Sequence, residues 1–178
     1  LMTNKARKIG MSRTTFRNAS GLPHRGQMST AKDMATLTRA LINRFPQYYH
    51  LFSRQAFTFQ GRTYRTHNKV LKSFRGAEGM KTGYIRASGF NLITTAKRGG
   101  KRIIGVVFGG NTSRSRNRHM AKLLTNAFKK ANPPQFIART DKQKRDKTVA
   151  KSRSKIAAKD RIWGIQVGAF YTRKPALS

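Results

Sequence analysis

The 178-residue chain contains no cysteine. That excludes a disulfide framework and any cysteine-ligated metal site. It leaves the compartment open, because a cysteine-free chain suits either side of a membrane. Acidic residues are nearly as scarce. Five Asp and Glu stand against 39 Lys and Arg, a formal net charge of +34. Such an imbalance strains a compact state by self-repulsion and attracts polyanions. Nucleic acid is one class of partner; an anionic cell-wall polymer or membrane surface is another. No apolar run approaches the roughly 18 residues of a membrane span. No basic-then-apolar leader opens the chain. The first residue is Leu1, so the expectation is a natural N-terminus further upstream. Hydrophobic content is 37%, low for a globular protein, which predicts that part of the chain is unpacked.

What is present falls into segments. Leu1 to Gly10 reads as the end of a helix, with Lys5, Arg7 and Lys8 in its last turn and Gly10 as its stop. Met11 to Met28 is a loop rich in Asn, Ser, Gly and Pro. Thr30 caps a second helix, and Asp33 three residues on completes an acidic capping box. Met34, Leu37, Leu41 and Ile42 give that helix an apolar face, and Pro46 ends it near Arg44. Next, Ala56–Phe59 and Thr63–Thr66 flank Gln60-Gly61-Arg62 as a hairpin. Phe57 and Phe59 alternate with polar neighbours, which predicts a half-buried strand rather than a base-stacking platform. His67-Asn68 reads as a structural turn pair rather than an acid–base pair.

The stretch GAEGMKTGYIRASGFNLITTAKRGGKRIIGVVFGG, Gly76 to Gly110, organises the rest. Lys81-Thr82-Gly83 sets a cation, a hydroxyl and a bare backbone in succession. Strand-like runs follow at Phe90–Ala96 and Arg102–Phe108, with Arg98-Gly99-Gly100-Lys101 as the turn between them. A helix over 112–131 carries Met120, Leu123, Leu124, Ala127 and Phe128 on one stripe. Residues 132–161 form a basic segment with few large apolar residues and no steady period, read as a disordered linker. Ile162 to Phe170 alternates as a strand. As a lone strand ahead of the last residue it is expected to have nothing to pair with.

From Met2 to Phe128 the chain resembles the serine-type D-alanyl-D-alanine carboxypeptidases, the low-molecular-mass penicillin-binding proteins of peptidase family S11. The resemblance rests on Gly21-Leu22-Pro23, STAKDMATL at 29–37, FPQYYHLFS at 45–53, HNKVL at 67–71, GAEGMKTGYIRASGFNL at 76–92, RIIGVVFGG at 102–110 and the helix start around Arg116. The tail IWGIQVGAF resembles the first strand of a sporulation-related (SPOR) repeat, a peptidoglycan-binding module. These likenesses imply an α/β (α+β) chain holding part of a β-lactamase/transpeptidase-like fold. Its sheet would be the later part of a five-stranded antiparallel sheet with packed helices. Residues 1–131 would be the C-terminal part of the catalytic domain, 132–161 the basic linker and 162–178 a truncated SPOR strand.

The family uses a Ser-x-x-Lys nucleophile, a Ser-x-Asn for proton transfer and a KTG strand that binds substrate. The resemblance therefore implies substrate-binding roles for Lys81, Thr82, Gly83 and Arg116, with Arg114 an adjacent competitor for the role of Arg116. Lys81 would supply positive charge, Thr82 a hydrogen bond to the D-Ala-D-Ala carboxylate, and Gly83 room for a peptide to pair with the strand edge. An Arg fork suits a carboxylate.

The order Ser-x-x-Lys, Ser-x-Asn, KTG is not found. The segments starting at Ser12 and Ser73 lack the lysine, and Ser152-Arg153-Ser154-Lys155 follows KTG. The nucleophile is expected upstream of Leu1, which leaves this chain inactive alone. Glu78 and Asn117 stand where the family usually has Asp and an acid, which puts local ion pairing in doubt. No metal or cofactor is implied. The implied partners are the peptidoglycan stem peptide, β-lactams for the intact parent and denuded glycan through SPOR, in the periplasm or cell envelope. The rival reading is a non-catalytic binder of a polyanion, peptidoglycan or nucleic acid; only net charge favours nucleic acid.

Overall fold

The computed structural model describes residues 1–131 and the backbone of 163–169. The expected linker at 132–161 lies outside the described residues. Five helices are described: α1 (Met2–Lys8), α2 (Ala31–Arg44), α3 (Pro46–Tyr49), α4 (Val70–Ser73) and α5 (Ser113–Ala131). A 3-10 turn at His50–Ser53 follows α3. The strands are β1 (Ala56–Phe59), β2 (Arg62–Arg65), β3 (Ala77–Ile85), β4 (Gly89–Arg98), β5 (Lys101–Gly110) and β6 (Trp163–Ala169).

β3, β4 and β5 form an antiparallel meander, and β6 joins the outer edge of β5 in parallel. Trp163 lies opposite Arg102, and Ala169 opposite Phe108. The expectation of an unpaired terminal strand is thereby corrected. The free N–H and C=O row of β5 supplies the ladder, so the strand extends the first sheet instead of opening one of its own.

Period-two alternation in β5 sends side chains to opposite faces. Ile103 and Val107 pack with Leu92 and Ala96 under Met120, Leu124 and Phe128 of α5. Ile104 and Val106 pack against Ala31 and Ala35 of α2. The sheet is thus covered on both faces, and each large aliphatic buried there contributes about 1.5–3 kcal/mol. The turn between β4 and β5 uses Gly99 and Gly100, both at positive φ, as a two-residue hairpin requires.

Thr30 caps α2 as expected, its hydroxyl accepting from Asp33 N at 3.1 Å. The Asp33 carboxylate does something else. It is buried, and Oδ2 accepts from Arg13 N at 2.8 Å and Thr14 Oγ1 at 2.6 Å. It pins the loop after α1 to the start of α2 instead of closing the capping box.

The β1–β2 hairpin is present, but both of its faces are exposed. Phe57 is 60% and Phe59 59% exposed. The half-buried-strand expectation is corrected here: alternation marks two faces, and only a neighbouring layer makes one of them a core. Phe57 instead stacks on its cross-strand partner Tyr64 at 5.1 Å, with the Arg62 guanidinium 5.3 Å from the Tyr64 ring.

Candidate active site

β3 is an edge strand; among the described residues its one strand neighbour is β4. Lys81, Thr82 and Gly83 stand opposite Ile93, Leu92 and Asn91. Lys81 and Gly83 are exposed and Thr82 is half-buried. The Lys81 ammonium donates to the carbonyl of Thr82 at 2.6 Å. A Cβ added at Gly83 would meet nothing nearer than Asn91 Cβ at 3.9 Å, so the space beside this backbone is open.

These three residues line a cleft of about 480 Å³. Thr66, His67 and Lys69, from the segment after β2, form one side, and Tyr84 and Phe90 contribute rings with centroids 4.4 Å apart. Ser113 and Arg116 of α5 contribute the rest.

Arg116 is only 3% exposed. Its Nη1 donates to the Asn91 carbonyl at 2.8 Å, while Nε and Nη2 both donate to Asn117 Oδ1, at 3.0 and 2.8 Å. Burial pushes its pKa down from the ordinary arginine value, yet a guanidinium stays charged at any ordinary pH. Gly110 makes the position possible: a Cβ there would sit 2.8 Å from Arg116 Cβ. Thr112 and Ser115 cap the start of α5 reciprocally, each backbone N–H donating to the other's hydroxyl at 3.0–3.1 Å. Arg114 is exposed and does not line the cleft.

Among the described residues no carboxylate enters this arrangement. The acids of residues 1–131 are Asp33 and Glu78. Asp33 is held by Arg13 and Thr14. Glu78 takes Arg102 in a two-pronged pair. The pairing that the sequence put in doubt at Glu78 is therefore made.

His67 is exposed and lines the cleft, whereas Asn68 is buried. Asn68 Oδ1 accepts from Val70 N at 3.2 Å, a turn role at the entry to α4. Sequence reading passed over Ser29-Thr30-Ala31-Lys32, which has the letters Ser-x-x-Lys ahead of KTG. Ser29 lines a second cavity, of about 290 Å³, with Leu22, His24 and Asn91, and its hydroxyl bonds to Thr14 Oγ1 at 2.9 Å. Lys32 is exposed. Among the described residues no lysine amine is hydrogen-bonded to a serine hydroxyl. Ser115-Arg116-Asn117 has the letters Ser-x-Asn, but Ser115 serves the α5 cap. The Tyr84–Phe90 pair and Ser113 were also unforeseen as lining, since nothing in their local pattern reports that β4 and α5 converge on β3.

The sequence profile of D-alanyl-D-alanine carboxypeptidases, peptidase S11, matches residues 1–112. The chain belongs to this family. It is 41% identical over 130 residues to the D-alanyl-D-alanine carboxypeptidase DacC of Escherichia coli, covering 72% of this chain and 32% of that protein. Its identity to DacF of Bacillus subtilis is 33% over 159 residues, 86% of this chain and 39% of the relative. Among solved structures, penicillin-binding protein 6B of E. coli superposes with a TM-score of 0.66 at 35% identity, covering 71% of this chain and 40% of that one. Penicillin-binding protein D2 of Listeria monocytogenes, in its ampicillin-bound form, gives 0.65 at 37% identity, covering 71% and 54%. The transpeptidase-like fold is thus the observed one. The chain spans about a third of the length of curated carboxypeptidase relatives such as DacC and DacD.

Proposed function

We propose that this carboxypeptidase-family chain carries the substrate-binding wall of a serine-type D-Ala-D-Ala carboxypeptidase of peptidoglycan maturation, in the periplasm or cell envelope. The observation that carries the reading is the convergence of Lys81, Thr82, Gly83 and Arg116 on one cleft beside a strand edge that no other strand pairs among the described residues. A stem peptide ending in D-Ala-D-Ala would lie along β3 as an added strand. The Thr82 hydroxyl would donate to its terminal carboxylate, with Lys81 and Arg116 supplying charge. In the parent, a serine outside this chain attacks the penultimate D-Ala carbonyl and terminal D-Ala leaves. Water then hydrolyses the acyl-enzyme. β-Lactams would acylate the same serine, and this chain alone would be inactive.

Two measurements test this. An acetylated peptide ending in D-Ala-D-Ala, titrated into the 178-residue chain, is expected to shift the amide resonances of Lys81, Thr82 and Gly83; absence of shifts at millimolar peptide sinks the reading. A fluorescent penicillin is expected to leave no covalent label. A label would mean that a nucleophile lies within these residues.

The proposed division is catalytic-domain remainder over 1–131, basic linker over 132–161 and SPOR-like strand over 162–178. The strand alternation from Ile162 supports the last. Deleting 162–178 should lower retention on purified sacculi; unchanged retention removes that assignment. Polyanion binding is the second reading. It is favoured by the state of the acids in residues 1–131, one buried and the other taken by Arg102. A steep salt dependence on DNA, with no sacculus retention, would favour it.

A further inference from the structure

The β1–β2 hairpin stands apart from the four-stranded sheet, and every residue of its two strands is exposed. Cross-strand partners share a face. Phe57 pairs with Tyr64 and Phe59 with Arg62, so three rings and a guanidinium occupy one face. Ala56, Thr58, Thr63 and Arg65 occupy the other, where the two threonine hydroxyls hydrogen-bond at 3.1 Å. The turn residues Gln60 and Gly61 both sit at positive φ, the geometry of a tight two-residue loop. The hairpin thus has one apolar and one polar side, although among the described residues no layer covers either. A two-stranded hairpin is marginal in water without something to pack on.

The flanking segment has the same chemistry. Eleven large apolar side chains are exposed among the described residues, and six of them lie within twenty residues of chain: Phe45, Tyr48, Leu51, Phe57, Phe59 and Tyr64. Such a concentration marks an interaction surface. Between Asp33 and Glu78 the sequence carries eight Lys and Arg and no acid. The complementary surface is therefore anionic as well as apolar.

We propose that the aromatic face of the β1–β2 hairpin docks on a bilayer surface rich in anionic phospholipid. Phe57 and Phe59 enter the boundary between headgroups and acyl chains, and Tyr64 keeps its hydroxyl at headgroup level. The Arg62 stem lies along the rings while its guanidinium meets lipid phosphate. The other basic residues of the segment add attraction to the charged leaflet. This proposal is independent of what the cleft binds.

Other partners match the face less well. Phe57 and Tyr64 are stacked on each other, 5.1 Å apart at 15°, and the Arg62 guanidinium lies over the Tyr64 ring. The ring faces on which nucleic-acid bases would stack are therefore already in use. A second copy of the chain would bring the same acid-free basic segment and be repelled. A membrane surface supplies both an apolar layer and a row of phosphates.

Co-sedimentation of the 178-residue chain with vesicles tests this. One set holds phosphatidylglycerol and phosphatidylcholine in equal parts, the other phosphatidylcholine alone. The anionic set is expected to bind at least about tenfold more tightly at low salt. A basic chain adheres to such vesicles by charge alone, so the hairpin is tested at about 0.5 M salt, where that attraction is screened. There the double variant Phe57→Ser, Phe59→Ser, which keeps every charge, should bind about tenfold or more weakly. Both residues are exposed, and a thermal melt of the variant confirms that it folds. A second readout needs no truncation. Trp163 is the sole tryptophan, so Phe59→Trp in a Trp163→Phe chain places one fluorophore on the hairpin. Its emission should shift to the blue on anionic vesicles and be quenched by brominated acyl chains.

Unchanged emission on vesicles overturns the proposal, as does a double variant that binds like the parent. Equal binding to both vesicle sets overturns the anionic requirement. If the two phenylalanines are needed for DNA binding or for self-association in the absence of lipid, and not for vesicle binding, the face belongs to that partner and the proposal fails.

Discussion

Glu78 on β3 and Arg102 on β5 reach each other across the intervening strand β4. Arg102 Nε meets Glu78 Oε2 at 2.6 Å, and Nη2 meets Oε1 at 3.1 Å. The Arg102 guanidinium also lies 5.1 Å from the Tyr49 ring centroid. The carboxylate hydrogen bonds push the Arg102 pKa further above its ordinary value. The pair therefore ties three strands and the α3 segment together in a chain nearly devoid of acids.

Glu78→Gln is expected to lower stability by about 1 kcal/mol, the scale of a two-pronged pair that is still partly solvated. A thermal melt at low and at 0.5 M salt checks this, with the loss shrinking as salt screens the charge. A melting temperature unchanged at low salt would show that the pair adds nothing.

Tyr49 gives a pH prediction. Burial pushes its phenol up to about 12, against an ordinary value near 10, and its hydroxyl is hydrogen-bonded to Thr95. The raised value means that the folded state holds this proton more tightly than the unfolded state does. Its contribution to stability is full below pH about 10 and is lost as pH rises through about 12. Ultraviolet titration should show a late ionisation step at pH about 12, and Tyr49→Phe should remove it. The absence of any step at pH about 12 that Tyr49→Phe removes would overturn the assignment.

The exposed hairpin makes a prediction opposite to that of its sequence pattern. A core phenylalanine truncated to alanine costs about 3–5 kcal/mol. Phe57→Ala is expected to cost well under that, about 1 kcal/mol, for the lost contact with Tyr64. Chemical denaturation of the two proteins decides it, and a loss on the core scale would mean that the hairpin is covered.

Gly110→Ala tests the fit between β5 and α5. The added methyl would lie 2.8 Å from Arg116 Cβ and 3.1 Å from the Phe90 carbonyl. Overpacking of this kind costs about 1–3 kcal/mol. Because the displaced residue is Arg116, carboxylate binding should fall by more than a stability loss explains. The melting temperature and the peptide titration, measured on the same sample, separate the two. Unchanged binding would show that the exact seat of Arg116 is immaterial.

The sequence by itself determined the longer elements, because their signals are local, but not the short helices Pro46–Tyr49 and Val70–Ser73. Thr30 announces the start of α2, Gly99-Gly100 the turn between β4 and β5, and the alternation of Ile103 to Val107 a strand. The segments around Lys81-Thr82-Gly83 announced the family. What those signals lack is any record of which layers meet. Phe57 alternates as faithfully as Ile103, yet one lies in solvent and the other under α5, because only the second strand has a helix laid over it. The strand at Trp163–Ala169 looked partnerless until the open edge of β5, some 60 residues earlier in the chain, supplied its ladder. Asp33 has the spacing of a capping acid, but the packed loop offered it the Arg13 amide and the Thr14 hydroxyl. Arg116 was named from its segment, whereas its burial, its two neutral acceptors and its place beside Lys81 exist only once α5 has closed onto the sheet. Those contacts are between residues far apart in sequence, and burial there decides what each charge is worth.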